Sequence, residues 1–210
     1  MRGYKFLSRE FASETVAAGR FRLARLESFR AIEEVNVRDE FEGSARGRIE
    51  SATIDGRPEN AAFRERMSPQ CLVGNGGRIN FQNATFAVTL PSVFVLCLSL
   101  NPNCKKWLDD PAPKDAMIEV QNLKIVAGII AQTHSNWIEA HSVGRVKYVQ
   151  REFALDKENM GAADFFQKRP TFSDEEEVRM IFQPKLGAPK EFFTACPRAI
   201  PYLSWRLRER

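Results

Sequence analysis

The sequence contains few of the residues that hold metals or form disulfides. Among its 210 residues there are four cysteines and two histidines. The cysteines form no CxxC pair and no spacing typical of metal ligands, and Cys97 lies in the apolar run VFVLCLSL, where we expect a buried, reduced thiol. His134 and His141 alone are too few for a histidine-rich centre. We therefore predict no metal site.

Long hydrophobic runs are also missing. No segment approaches the roughly 20 consecutive apolar residues that span a membrane. The opening residues MRGYKFL lack the apolar stretch and the small-residue cleavage site of a secretory signal. Hydrophobic residues make up 43% of the chain and charged residues 28%, which are typical proportions for a globular protein. From these features we expect a cytoplasmic protein.

The excess of one charge sign is small. The chain has 31 Lys and Arg residues against 27 Asp and Glu residues, which gives a formal net charge of +4. This is well below the charge of a protein that coats nucleic acid. A mildly positive balance suits an anionic ligand such as a dinucleotide, or transient contact with nucleic acid.

Apolar periodicity predicts an α+β fold with many strands and few helices. Helical patterns occupy 9–21, with Gly19 as a stop, and 122–135, and a shorter one occupies 162–169. Strand patterns occupy 4–8, 20–26, 47–55, 78–90, 93–100, 116–121, 144–153 and 177–184, with a hairpin signal at Asp55-Gly56. Glycines and prolines between 57 and 80 predict a surface excursion from a single domain that spans 1–210.

Four consecutive acids, residues 174–177, directly precede the apolar run VRMIF. One interpretation is a charged turn or helix cap. The other is that Glu177 is held rigidly at the start of a strand, where its carboxylate has a chemical role. In extended chain Glu175 and Arg179 lie on the same side as Glu177. Glu175 is then a candidate general base, and Arg179 either binds phosphate or pairs with an acid such as Glu42.

Several short motifs, in this order, resemble an uncharacterised family of bacterial domains. They are YKF at 4–6, RDEFEG at 38–43, CLS at 97–99, VKY at 146–148, FFQK at 165–168 and EEEVR at 175–179. The match covers nearly the whole chain, although Arg38 and Glu40 replace the Asn and Pro that are usual in the second motif.

The same order of features also resembles the ADP-ribosyltransferase fold, which has a mixed β-sheet core and few flanking helices. That resemblance implies a basic residue on the first strand, a Ser on a middle strand and a Glu on a late strand, here Lys5, Ser99 and Glu177. It further implies NAD as the substrate, with Arg38 near the pyrophosphate and a nucleic-acid or protein acceptor. The expected role is a transferase, such as a bacterial toxin or an antiviral defence effector.

Other interpretations stay open. Lys5 either faces a cleft or lies exposed at a sheet edge, and Ser99 either contacts ribose or caps its strand. The chain is also consistent with a non-catalytic nucleic-acid- or protein-binding module, because Arg20 and Arg22 share one strand face. A metal-dependent nuclease that uses Asp39, Glu42 and Glu177 ranks last. An NAD-cleaving enzyme should bring Lys5, Ser99 and Glu177 together in one cleft, whereas a binding module should not.

Overall fold

The computed structural model describes residues 1–28, 44–55, 78–104, 114–149, 152–154 and 164–208. It combines helices and strands around a large antiparallel sheet, which confirms the α+β class. The described residues form two compact units. The first contains 1–28, 91–104, 114–149 and 165–208, and the second contains 44–55, 78–90, 152–154 and 164.

The elements follow the predicted order closely. They are β1 (Gly3–Leu7), α1 (Arg9–Ala18), β2 (Arg22–Arg25), β3 (Ser44–Asp55), β4 (Arg78–Thr89), β5 (Phe94–Ser99), β6 (Ala116–Val120), α2 (Leu123–Thr133), β7 (Ile138–Arg145), β8 (Lys147–Tyr148), β9 (Glu152–Ala154), β10 (Gln167–Lys168), β11 (Glu177–Pro184), β12 (Glu191–Phe193) and β13 (Leu203–Leu207). Short 3₁₀ helices occupy Pro170–Glu175 and Pro197–Tyr202.

Strand β5 organises the main sheet of the first unit. β11 pairs with β5 along its whole length, and β7 continues the sheet beyond β11. β2 and β1 must therefore share the opposite edge of β5: β2 pairs at Phe94 and Val95, and β1 pairs at Ser99. β6 and β13 extend the sheet from β1, and β12 extends it from β2. The main sheet thus forks where β1 and β2 diverge.

Both helices pack on one face of this sheet. The apolar positions of α2, which include Leu123, Val126 and Ile130, are fully buried against strand residues such as Ile118 and Met180. Helix α1 buries Ala12 in the same cluster. The alternating strand residues Val95 and Ile181 form a separate cluster with Leu26 and Val93. Because side chains alternate along a strand, Cys97, Ser99, Glu177 and Arg179 share the face of this second cluster.

The described residues of the second unit form a three-stranded sheet. β3 and β4 pair antiparallel from Ser44 opposite Thr89 to Asp55 opposite Arg78, and β9 pairs parallel with β3. The hairpin signal at Asp55-Gly56 falls where β3 ends and its next antiparallel partner follows, with Asp55 opposite Arg78, and the connection between them, 56–77, lies outside the described residues. Residues 57–77 of the predicted surface excursion lie outside the described residues, and 78–80 begin β4.

Local sequence signals correctly located most of the other elements. Helix α1 ends at Gly19, whose φ of 61° is left-handed and whose N–H donates to the Thr15 carbonyl. The predicted short helix at 162–169 is wrong for its described part, because Gln167 and Lys168 form β10 and pair in parallel with β8. Tertiary pairing overrides a local helical composition there. β12 and β13 carry no clear alternation and were not predicted. β7 was predicted only at its last two residues, and the single strand expected at 144–153 is divided, in its described part, among the end of β7, β8 and β9.

Candidate functional site

A sharp backbone turn exposes two residues of the acidic run to water and buries the other two. Glu175 ends the 3₁₀ helix Pro170–Glu175 and is buried, whereas Asp174 and Glu176 are exposed. Glu176 has a positive φ of 42°, so the chain reverses there before β11 begins with buried Glu177. Glu175 and Glu177 do point to one place, as predicted. They do so through this turn and not through extended chain.

Two buried cations meet these two buried acids. Lys168 Nζ lies 2.6 Å from Glu175 Oε2 and 3.2 Å from Glu177 Oε2. Arg179 Nε lies 2.6 Å from Glu177 Oε1, and its Nη1 donates to the Phe165 carbonyl at 2.6 Å. All four charged side chains are buried. We call Lys168, Glu175, Glu177 and Arg179 the buried quartet.

The electrostatics of the quartet keep Glu177 ionised. Burial by itself raises the pKa of this carboxyl, but Arg179 and Lys168 together outweigh that effect and hold the pKa well below its usual range. The Cys97 thiol also donates a hydrogen bond to it. Both carboxylate oxygens of Glu177 are therefore occupied by cations of the protein itself, and only 5% of the residue is exposed.

Tyr148, on β8, supports the first residue of β11. Its hydroxyl oxygen accepts a hydrogen bond of 2.7 Å from the Glu177 backbone N–H. Burial raises the pKa of this phenol to about 12, and the Glu177 carboxylate acts in the same direction. Tyr148 is therefore neutral at physiological pH and serves here as a hydrogen-bond acceptor.

Ser99 caps the end of its strand. Its hydroxyl donates to the Glu175 carbonyl at 2.8 Å and accepts from the Asn101 N–H at 2.9 Å. The side chain is buried and lies directly opposite Glu177 in the β5–β11 register. Of the two predicted roles for Ser99, the structure shows capping.

A pocket of about 460 Å³ opens at the fork of the main sheet. Residues of β1, β2, β5, α1 and β12 line it, and we call it the fork pocket. Val95, Leu96 and Cys97 all contribute to its wall. β2 pairs with β5 at Val95 and β1 pairs with it at Ser99, so among the described strands none pairs with the edge of β5 between these two positions. Such a volume suits a small-molecule ligand.

Lys5 is the central cation of the fork pocket. Its Nζ donates to the Cys97 carbonyl at 3.3 Å, on the edge of β5 that β1 and β2 leave open. Among the described residues no carboxylate lies within ion-pair distance of Lys5. Burial lowers the pKa of Lys5, and Lys114 and Arg22 act in the same direction, whereas Cys97 and Glu177 oppose the shift.

Two ion pairs supply the other charges of the fork pocket. Arg20 pairs with Glu14 at 3.1 Å, and Arg22 pairs with Glu191 at 2.6 Å. Three cationic and two acidic side chains line the pocket, which leaves a net charge of +1. The unbalanced charge belongs to Lys5.

The structure therefore separates the predicted site residues. Lys5 lines the fork pocket, whereas Glu175, Glu177, Arg179 and Ser99 do not and instead form the buried quartet and its cap. Arg38, together with Asp39 and Glu42, lies outside the described residues. The ion pair predicted for Arg179 is present, with Glu177 as its partner, whereas Glu175 pairs with Lys168.

Sequence reasoning missed Lys168 and the pocket-lining arginine pairs. Lys168 belongs to the FFQK motif, for which the sequence indicated no role. It precedes Glu175 by seven residues and Glu177 by nine, and no single helix or strand brings residues at both spacings to one side. A lysine next to phenylalanines, shortly before a buried acidic strand, was the only available signal.

The comparisons with known proteins add no family. No protein-family model, curated protein or solved structure matches the chain. In the part of the chain that the structure covers, no helix has the length and apolar character needed to cross a membrane. Within the same residues, no three His, Cys, Asp or Glu side chains lie together in a way that could hold a metal ion.

Proposed function

We propose that the protein binds a phosphate-bearing nucleotide in the fork pocket, with NAD as the first compound to test. The observation that carries this proposal is the environment of Lys5. Its amine lines a pocket of about 460 Å³ and, within the described part of the chain, donates to one carbonyl, at 3.3 Å. An ammonium group has three donors, so a ligand anion can take the remaining two.

Electrostatics favour an anion at this position. Burial lowers the pKa of Lys5, so the charged form of the amine lacks the solvation that it would have in water. A phosphate beside it would replace that solvation with a charge-assisted hydrogen bond. Arg20 and Arg22 already have carboxylate partners, but each guanidinium has five N–H donors and can contact an anion as well.

Calorimetry with NAD, ADP-ribose and inorganic phosphate tests the proposal. Lys5→Met keeps the apolar stem and removes the charge, and we expect it to weaken NAD binding by about 10- to 100-fold, the usual effect of one hydrogen bond to a charged group. Lys124→Met, on the exposed side of α2, is the matched control and should bind as the wild type does. Absence of heat with all three compounds would refute the proposal.

A second candidate function is ADP-ribosyl transfer from NAD to a nucleic acid or a protein. It is favoured by one observation: β1, β5 and β11 are neighbours, and Ser99 is opposite both Tyr4 and Glu177 in the register. The expected basic, Ser and Glu residues thus lie on three adjacent strands. Lys5 follows Tyr4 and is opposite Ile118, so it points to the other face of the sheet from Ser99 and Glu177 and does not share a cleft with them. Transfer would require the Glu177 carboxylate to exchange Lys168 or Arg179 for the ribose, where it would stabilise an oxocarbenium-like centre.

Nicotinamide release in the presence of DNA, RNA or protein pools tests this second function. Glu177→Gln should slow release by about 100- to 1000-fold while NAD binding, measured by calorimetry, is retained. Asp174→Asn, at the exposed end of the acidic run, should be nearly silent. NAD binding without release in any pool would leave the binding function alone, and equal turnover of wild type and Glu177→Gln would rule out the catalytic role.

A further inference from the structure

We propose that a nucleotide lies in the fork pocket with its phosphate at Lys5 and its base on Phe11 and Phe193. This inference rests on the proposed nucleotide binding and adds the orientation of the ligand and the residues that recognise its base. It is carried by the charges and the two exposed aromatic rings that line the pocket.

The two phenylalanines are unusually exposed for their type. Phe11, on α1, is 55% exposed, and Phe193, on β12, is 50% exposed, yet both line the fork pocket. Their counterpart Phe21 is buried in the core at 2% exposure. Burying Phe11 and Phe193 would bring apolar area out of water, so a ligand that covers them gains affinity.

The charges place the phosphate at Lys5. Lys5 reaches the open edge of β5 and has no carboxylate partner among the described residues, whereas Arg20 and Arg22 pair with Glu14 and Glu191. A phosphate is therefore attracted most strongly to Lys5. The Arg20 guanidinium already lies over one face of the Phe193 ring, 4.5 Å from its centre, so a planar base would stack on the opposite face of that ring.

Stacking determines which ligands are recognised. Every nucleobase has a π face, so stacking on phenylalanine tolerates different bases. The rings should therefore distinguish nucleotides from sugar phosphates, without a strong preference for adenine over other bases. The ligand class is then a nucleoside phosphate or dinucleotide, and simple phosphorylated sugars are bound more weakly.

Calorimetric titrations of AMP, ribose 5-phosphate and adenosine distinguish the contribution of the phosphate to binding from that of the base. In the wild type, AMP should bind about 5- to 150-fold more tightly than ribose 5-phosphate, the range given by one stacked base. Phe11→Ala and Phe193→Ala should each reduce this ratio and leave ribose 5-phosphate binding unchanged. Lys5→Met should weaken AMP and ribose 5-phosphate but not adenosine, and Leu186→Ala, a fully exposed apolar control, should alter nothing.

The outcomes distinguish this inference from the function on which it rests. If AMP and ribose 5-phosphate bind equally well to the wild type, the fork pocket binds phosphate but the stacking role is wrong. If the phenylalanine variants weaken ribose 5-phosphate as much as AMP, the rings only shape the pocket and the inference is overturned. If none of the three compounds binds, nucleotide binding itself is refuted, and the orientation with it.

Discussion

The Glu177 carboxylate is buried and paired with cations, whereas a catalytic acid is expected to be open to its substrate. It is surrounded by two cations of the same chain, and the four charges of the buried quartet neutralise one another. Removing a charge from water costs several kcal/mol, and only close pairing with good hydrogen bonds offsets that cost. The two acids and two bases of the quartet balance in charge, so loss of any one member leaves a net charge in the protein interior.

Arg179→Ala should lower the free energy of unfolding by about 3–5 kcal/mol, because Glu177 is then left as a buried carboxylate without its nearest cation. Urea denaturation followed by fluorescence measures the change. The control is Arg2→Ala, which removes a mostly exposed ion pair with Glu119 and should cost at most about 1 kcal/mol. Equal effects of the two substitutions would contradict a structural role for the quartet.

At the scale of elements, the C-terminal end of α1 is hydrogen-bonded to the segment 194–196. The Thr194 hydroxyl donates to the Gly19 carbonyl at 2.9 Å, and the Cys196 N–H donates to the same carbonyl at 3.2 Å. Gly19 has a left-handed φ, and a Cβ at this position would lie well inside 3.0 Å of the Cys196 carbonyl oxygen. Glycine is thus needed both for the turn and for the close approach of two backbones.

Gly19→Ala should destabilise the fold more than Gly187→Ala, and thermal unfolding of the two variants measures the difference. Gly187 also has a positive φ, of 82°, but a Cβ there meets nothing within 4 Å. Gly187→Ala therefore adds only backbone strain of about 1 kcal/mol. Gly19→Ala adds the same strain and also displaces the segment at Cys196. A smaller loss for Gly19→Ala than for Gly187→Ala would show that the two backbones separate easily.

At the scale of the whole molecule, acidification weakens the fold in two ways. The net charge of +4 becomes more positive as carboxylates take up protons. The pKa of Glu177 is also lower in the folded state than its ordinary value of 4.5, so the unfolded chain binds this proton more readily. The stability that Glu177 contributes is fully present above pH 4.5 and is lost progressively as the pH falls below it.

The urea midpoint of the wild type should therefore fall more steeply between pH 6 and pH 3 than that of Glu177→Gln, which has no carboxyl to protonate at this position. The comparison uses the slope with pH, so a lower starting stability of the variant does not affect it. Glu119→Gln, which alters a half-exposed acid, should follow the wild-type slope. Parallel slopes for wild type and Glu177→Gln would exclude a lowered pKa for Glu177.

Local sequence patterns were sufficient to predict those elements whose structure depends on residues close together in the chain. The apolar run in EVRMIFQP, stopped by Pro184, predicted β11 at its observed bounds, and the two-residue spacing correctly placed Glu177 and Arg179 on one face. The apolar periodicity of α2 and the helix stop at Gly19 are likewise signals carried by the local sequence. In each case the spacing of side chains along a regular backbone is fixed by geometry alone.

Contacts between distant segments were decided only by the tertiary structure. Lys5 reaches the Cys97 carbonyl across 92 positions of sequence, and it does so because β1 and β2 divide one edge of β5 between them. Lys168 joins the quartet because β10 pairs with β8 and the chain reverses at Glu176. The sequence by itself determined the class of fold and the main strands. Strand order and burial determined that Glu177 is enclosed by its own cations while Lys5 lines a pocket, because pairing between remote strands leaves no periodic trace in the chain.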